Sequence, residues 1–159
     1  MRETVKPSAS EIWNCRWIAL LAMWAIAFFP SPVFSWTPEC KRDAMTDKVE
    51  CQIYDYDAEI LVLFLNSSKP NGVCVVGHDF PGRDSAIRID GNKPIVIRGE
   101  ACVSDPTKAA AIVTKMQSGA TTIIRKYEWP DDFPKDVKGS LKGFNAALAA
   151  IPNKRQALN

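Results

Sequence analysis

A chain of 159 residues is long enough for one domain of ordinary size and too short for two. Apolar residues make up 47% of the chain, which is enough to build a core and excludes an intrinsically disordered protein. The formal net charge is +2 with basic and acidic residues interspersed, so the sequence lacks the basic footprint of a nucleic-acid-binding protein.

The first 35 residues, 1–35, have the features of a secretory signal peptide. Basic residues precede an uncharged run at 17–29, Pro30 follows that run, and Ser35 offers a small residue directly before a cut. The run has 13 residues, whereas a membrane-spanning helix needs about 20, so a cleaved signal is favoured. The long segment before the run and the bulky Phe34 beside the cut leave a second interpretation open, an uncleaved signal-anchor in the inner membrane.

Four of the five cysteines lie after the predicted cut, because Cys15 would leave with the signal. They are Cys40, Cys51, Cys74 and Cys102. An even number of cysteines in an exported domain predicts a framework of two disulfides. Four cysteines allow three pairings, and the sequence alone does not choose among them. Hairpin geometry favours Cys40–Cys51, which flank a polar stretch able to turn the chain back, together with Cys74–Cys102.

The mature chain would hold one disulfide-bonded globular domain at 36–152, followed by a polar tail at 153–159. Its 17 Lys and Arg residues nearly balance its 16 Asp and Glu residues. Charge therefore predicts no strong polyanionic partner and no anionic-membrane partner. Membrane contact is expected only through residues 17–29, if the signal stays uncleaved.

The first half of this domain has the periodicity of short strands joined by turns. Five strands are predicted here, at 49–54, 59–65, 73–76, 86–89 and 94–98. The first alternates apolar and polar residues, as a half-buried strand does, and the second is a nearly continuous apolar run, as in a fully buried strand. The last two flank Asp90-Gly91-Asn92 and form a predicted hairpin.

After residue 104 the period becomes helical. Asp105 can cap a helix that has Pro106 at its first position, and Gly119 is a typical stop. Four apolar residues fall on one face of this helix: Ala109, Ile112, Val113 and Met116.

A strand at 121–128, a rigid loop at 129–134 and a closing helix from about Ser140 to Pro152 complete the predicted elements. The links between strands are short, so most pairing should be antiparallel. The sequence thus predicts an α+β domain built on a mainly antiparallel sheet or sandwich, with one or two covering helices and two disulfides.

The sequence contains one histidine that could act as a catalytic base, His78. His78 follows a glycine at a strand end and precedes Asp79, but no nucleophile motif such as GxSxG accompanies it. A loop histidine without a catalytic role is therefore the preferred interpretation. No CxxC pair is present, and a single histidine with widely spaced cysteines does not predict zinc or a thioredoxin-like centre.

Several carboxylates and two tryptophans are further candidates for a catalytic or binding role. The carboxylates are Asp55, Asp57, Glu59, Asp131 and Asp132, and at strand edges and loops such groups most often form turns or face solvent. Trp36 and Trp129 could offer a binding face, but a tryptophan in a small domain is more often part of the core. We therefore predict no catalytic, cofactor-binding or metal-binding residue, and no cofactor.

Several short segments follow one another along residues 36–151 in a distinctive order. They are Trp36 with Cys40 and Cys51, Val73-Cys74-Val75, Ile87-Arg88-Ile89-Asp90-Gly91, Cys102 before the helix, Gly119 after it, and Ser140-Leu141-Lys142-Gly143-Phe144-Asn145-Ala146-Ala147-Leu148 at the end. This arrangement resembles the invasion-associated locus B family of bacterial exported proteins. The resemblance implies a periplasmic or surface-associated protein of a Gram-negative bacterium, of a kind linked in some members to host-cell entry. It implies no catalytic residue and no cofactor.

The expected function is that of an exported, non-enzymatic protein that binds a protein or an envelope component, with host interaction as one form of that binding. Two alternatives stay open. One is an accessory subunit of an inner-membrane complex, anchored by residues 17–29. The other is an envelope hydrolase that uses His78 with nearby carboxylates.

Overall fold

A computed structural model describes residues 35–158 of the chain. The predicted signal peptide or signal-anchor lies outside the described residues, except for Ser35, and remains a prediction. Within 35–158 no helix is both long and apolar enough to cross a membrane.

Two antiparallel sheets form the framework of the described chain. The first sheet has the order β1-β2-β3-β4-β7, with β1 at Thr37–Arg42, β2 at Val49–Asp55, β3 at Ile60–Leu65, β4 at Gly72–Val75 and β7 at Cys102–Val103. The second has the order β6-β5-β8-β9, with β5 at Ser85–Ile89, β6 at Ile95–Ile97, β8 at Thr121–Glu128 and β9 at Asp131–Ser140. Helices α1 at Pro106–Ser118 and α2 at Phe144–Gln156 complete the fold. The predicted α+β class, with mainly antiparallel sheets, two helices and two disulfides, is confirmed.

One hydrophobic core joins both sheets and both helices. Alternate residues of β2 and β3 are buried, and α1 buries the face that its spacing predicts. The sheets approach closely where Ala58, in the turn between β2 and β3, lies against Gly139 of β9. Only a residue without a side chain fits there, because a Cβ atom on Gly139 would lie 2.3 Å from the Ala58 Cβ.

The disulfides are Cys40–Cys51 and Cys74–Cys102, the pairing that hairpin geometry favours. Each joins two residues that lie directly opposite each other on antiparallel strands, β1 with β2 and β4 with β7. Strands β1 and β7 are the two edges of the first sheet, so each edge strand is covalently bound to its neighbour. Disulfides persist in oxidising compartments, and two of them indicate an exported protein.

Helix α1 begins with the predicted cap residue, Asp105. The Asp105 carboxylate accepts hydrogen bonds from the backbone N–H groups of Thr107 and Lys108, at 2.8 and 3.0 Å. These bonds lower the pKa of Asp105. Pro106 occupies the first turn of the helix. Backbone N–H groups there form no intrahelical hydrogen bond, so the N–H that proline lacks is not needed.

The strand predicted as fully buried at 59–65 is buried on one face only. In β3 the side chains of Ile60, Val62 and Phe64 are buried, whereas Leu65 is 40% exposed. The reason is that β3 belongs to an antiparallel sheet with only one face on the core, and its second face is partly open despite its apolar residues.

The prediction of a rigid loop at 129–134 is wrong. Trp129 and Pro130 alone form the turn, and β9 begins at Asp131. Strand β9 is an edge strand that is exposed along most of its length, so it lacks the apolar alternation that predicts a strand. Edge strand β1 was not predicted for the same physical reason, and β7 was not predicted because two residues are too few to show a period.

The closing helix begins later and ends later than its sequence predicts. It starts at Phe144 after Gly143, whose φ of 92° lies in the left-handed region, and it continues past Pro152 to Gln156. Arg155 holds this last turn, because its guanidinium donates hydrogen bonds to the carbonyl oxygens of Val49, Phe64 and Ser67 at 2.7–2.9 Å. Part of the predicted polar tail is therefore helix.

Candidate binding surface

Two aromatic rings lie against each other at the turn between β8 and β9, and we call them the aromatic pair. Trp129 occupies the turn and is 66% exposed, and the ring of Phe80 lies 5.4 Å from it at a tilt of 46°. Phe133, in the first part of β9, is 75% exposed. Adjoining exposed aromatic rings, unlike single exposed apolar residues, are a feature of contact surfaces.

A bulge shapes the hairpin that presents these residues. Lys126 of β8 lies opposite Lys135 of β9, but Glu128 lies opposite Asp131, so β9 has two more residues than β8 between these two pairs. The extra residues bend β9 next to the turn. Phe133 lies in this irregular part of the strand.

The segment before β5 is hydrogen-bonded to β8 and fixes the aromatic pair. The backbone N–H groups of Asp79 and Phe80 both donate to the Tyr127 carbonyl oxygen at 3.2 Å. In the other direction, the Trp129 N–H donates to the Asp79 Oδ1 at 2.7 Å. The backbone of each member is thus held by a hydrogen bond, so the main chain of this surface has little freedom left to lose on binding.

His78 holds the same segment in place. Its ring is buried, with the Tyr127 N–H donating to Nδ1 at 3.1 Å and Nε2 lying 3.0 Å from the Arg83 carbonyl oxygen. Nδ1 must be unprotonated to accept the first bond, so Nε2 bears the proton and donates the second. Neither nitrogen has a free lone pair for a substrate proton, and the geometry makes His78 a loop histidine. Asp79, its sequence neighbour, contacts Trp129 instead.

Arg83 adds a cation next to the aromatic pair. Its guanidinium lies over the Tyr127 ring, 5.4 Å from the centroid, and forms two hydrogen bonds with the Asp132 carboxylate. This ion pair raises the pKa of Arg83 and lowers that of Asp132. The arrangement combines an aromatic face, a guanidinium and an aspartate.

A second charge network lies beside the hairpin and connects the two sheets. The Lys126 ammonium is nearly fully buried and lies 2.5 Å from carboxylate oxygens of both Glu59 and Glu128, and Glu128 also pairs with Lys135. Burial alone would lower the pKa of Lys126, but its hydrogen bonds to Glu128 and Glu59 raise it. The hydrogen bonds from the two lysines lower the pKa of Glu128 to about 2.

The other candidate residues of the sequence analysis lie in the core or form turns, except Trp129 and the exposed Asp131 at the start of β9. Asp55 is buried, and its Oδ1 accepts the N–H groups of Asp57 and Ala58, which makes it a turn former. Trp36 is part of the core, as predicted, with its ring 4.9 Å from that of Phe144. The same prediction is wrong for Trp129. Within residues 35–158 no three His, Cys, Asp or Glu side chains converge as metal ligands.

Phe80, Arg83 and Phe133 are the surface residues that sequence reasoning missed. One signal was present, because the turn sequence Trp129-Pro130-Asp131-Asp132-Phe133 places two large aromatic residues among turn-forming ones. No family model, curated protein or solved structure matches this chain. Function must therefore be argued from the surface itself.

Proposed function

We propose that this protein is an exported, non-enzymatic binding domain that contacts a protein partner through the aromatic pair and Arg83. The observation that supports this most directly is the exposed Trp129 ring, fixed by Phe80 on one side and by the Asp79 carboxylate at its backbone. Trp, Tyr and Arg are the residue types that contribute most binding energy at protein interfaces. All three occur together at this turn.

Side chains, rather than the strand edge, would make the contact. Strand β9 is a free edge of the second sheet, and another chain could in principle pair with it. However, β9 has Pro134, which cannot donate to a ladder, and two exposed lysines, Lys135 and Lys138, which oppose edge pairing.

The compartment in this proposal is the periplasm or the cell surface, the location implied by the resemblance to the invasion-associated locus B family. The two disulfides support an oxidising location. A protein at the cell surface would meet host-cell proteins, and one in the periplasm would meet envelope proteins. The alternative of an inner-membrane subunit depends on residues 17–29, and the intact mass of the mature protein distinguishes it.

A hydrolase that uses His78 receives less support from the geometry. A general base needs a lone pair within hydrogen-bond reach of the proton that it removes. Here the Tyr127 N–H occupies Nδ1, and the Nε2 proton is directed to the Arg83 carbonyl. The ring would have to leave both main-chain partners before it could act.

Site-specific photocrosslinking in the source cells tests the proposal. A photoreactive phenylalanine replaces Phe133, which is exposed in the same hairpin as Trp129, and in a matched control it replaces Met45, which is 91% exposed on the turn between β1 and β2. We expect a discrete crosslinked product from position 133, lost when Trp129→Ala is added, and none from position 45. Equal products from both positions, or a product at 133 that does not depend on Trp129, would contradict the proposal.

A further inference from the structure

We propose that the partner presents an arginine or lysine side chain to the Trp129 ring, an inference that rests on the proposed binding function. The argument begins with charge. Asp79 accepts a hydrogen bond from the Trp129 backbone N–H, and Asp131 follows Trp129 by two residues, at the start of β9. Within residues 35–158 neither aspartate forms an ion pair, and Asp131 acts on Lys135 only from beyond ion-pair distance.

The other charges of this region cancel one another. Asp132 neutralises Arg83. In the second charge network, Glu59 and Glu128 balance the charges of Lys126 and Lys135. Among residues 35–158, the charge of this region that no ion pair balances is that of Asp79 and Asp131, which contact or closely follow the exposed Trp129. A cationic group is the complement of that surface.

The hairpin already contains one complete example of the proposed contact. At Tyr127 an aromatic face is covered by the Arg83 guanidinium, which is paired with an aspartate from β9, Asp132. At Trp129, two residues further along, an aromatic face and an aspartate from β9, Asp131, are again close in the chain, but no cation of residues 35–158 lies over the ring. Trp has the aromatic face that attracts cations most strongly.

Phe80 contacts one side of the Trp129 ring, which leaves the other side for a cation. Phe80 contacts the Trp129 ring and Asp79 holds its backbone, while the Trp129 side chain stays largely exposed. A partner arginine could stack on that face and extend its planar guanidinium to Asp131, as Arg83 does with Asp132. The partner class is therefore a protein with an exposed basic segment.

The test follows the Trp129 indole N–H signal by NMR, in the full-length protein with its disulfides formed. This signal is identified as the one absent from Trp129→Phe. The probes are a hexa-arginine peptide and a hexa-glutamate peptide. We expect hexa-arginine to shift the signal saturably and hexa-glutamate to leave it unchanged. No shift with hexa-arginine, or equal shifts with both peptides, would overturn the inference.

A matched pair of charge variants sharpens the result. Asp131→Asn removes the carboxylate two residues after Trp129, and it should weaken hexa-arginine binding roughly two- to fivefold, the range for one exposed ion pair. Asp47→Asn makes the same charge change at an exposed turn residue of the first sheet and should leave binding unchanged. Equal affinities for the two variants would also overturn the inference.

The crosslinking experiment separates this inference from the proposed function. If a Trp129-dependent product forms at position 133 while hexa-arginine fails to bind, the surface is a binding site for a partner of other chemistry. If neither is observed, both the proposed function and the cationic partner are wrong.

Discussion

Gly139→Ala is expected to destabilise the protein through one contact between the sheets. A Cβ atom at Gly139 would lie 2.3 Å from the Cβ and 2.6 Å from the Cα of Ala58, and 3.0 Å from the Thr122 Oγ1. Non-bonded carbon atoms prefer about 3.5–4.0 Å. The Ala58 Cα belongs to the main chain and cannot rotate away, so the turn between β2 and β3 has to move.

The cost of this movement follows from the severity of the clash. Overpacking a core costs about 1–3 kcal/mol, and a backbone clash on a fully buried alanine belongs at the upper end, about 2–3 kcal/mol. For a domain of this size each kcal/mol lowers Tm by roughly 3–5 °C. We therefore expect Tm to fall by roughly 6–15 °C.

Urea unfolding with intact disulfides measures the effect. Gly91→Ala is the matched control, because a Cβ there meets no atom within 4 Å, and its effect should stay within about 0.5 kcal/mol. Adding Ala58→Gly to Gly139→Ala should recover part of the loss, since it removes the Cβ–Cβ clash and leaves the clash with Cα. The reasoning is refuted if Gly139→Ala unfolds at the same urea concentration as Gly91→Ala.

Three further predictions concern the bonds that hold the fold together. The Cys74–Cys102 bridge spans 28 residues and the Cys40–Cys51 bridge 11. Removal of the first, by replacing both cysteines with alanine, should cost about 3.6 kcal/mol, and removal of the second about 2.8 kcal/mol; urea unfolding that gives the opposite order would contradict this loop-entropy estimate. Arg155→Ala, which leaves three carbonyl oxygens without their donor, should lower the unfolding free energy by about 2–3 kcal/mol, whereas its exposed neighbour Lys154→Ala should change it little. Glu128 has a pKa of about 2 in the folded protein, below its ordinary 4.5, so its stabilising effect is complete above pH 4.5 and is lost as the pH falls towards 2. Tm measured across that range should therefore fall more steeply in the unchanged protein than in Glu128→Gln, and parallel curves would show that the Lys126–Glu128–Lys135 contacts contribute nothing.

Local chemistry explains why α1 could be predicted and β9 could not. The Asp105 cap, Pro106 and a four-residue apolar face are signals within one short stretch, and all three act as expected. Strand β9 satisfies its hydrogen bonds on β8, and it has little need of apolar residues because most of its side chains face solvent. A strand of that kind is specified by its partner and has only a weak pattern of its own.

The binding surface was harder to predict because its contacts are distant in sequence. His78 and Tyr127 are 49 residues apart, and so are Arg83 and Asp132. The position of His78 in a loop was foreseeable, but its two main-chain partners were not. Trp129 was assigned to the core on residue type alone, whereas at its hairpin turn no element of residues 35–158 covers it.

The two disulfides have a consequence for how copies of this protein interact when they are concentrated. Domain swapping requires a terminal element to leave its own sheet and join that of a neighbour. Strand β1, the first strand of the described chain, would be the natural element to exchange, but Cys40–Cys51 joins it to β2 at a directly opposed position. The Cys74–Cys102 bridge restrains β7 at the other edge in the same way. In its oxidised form the first sheet therefore keeps both outer strands, and dimers formed by exchange of β1 or β7 are expected only after reduction.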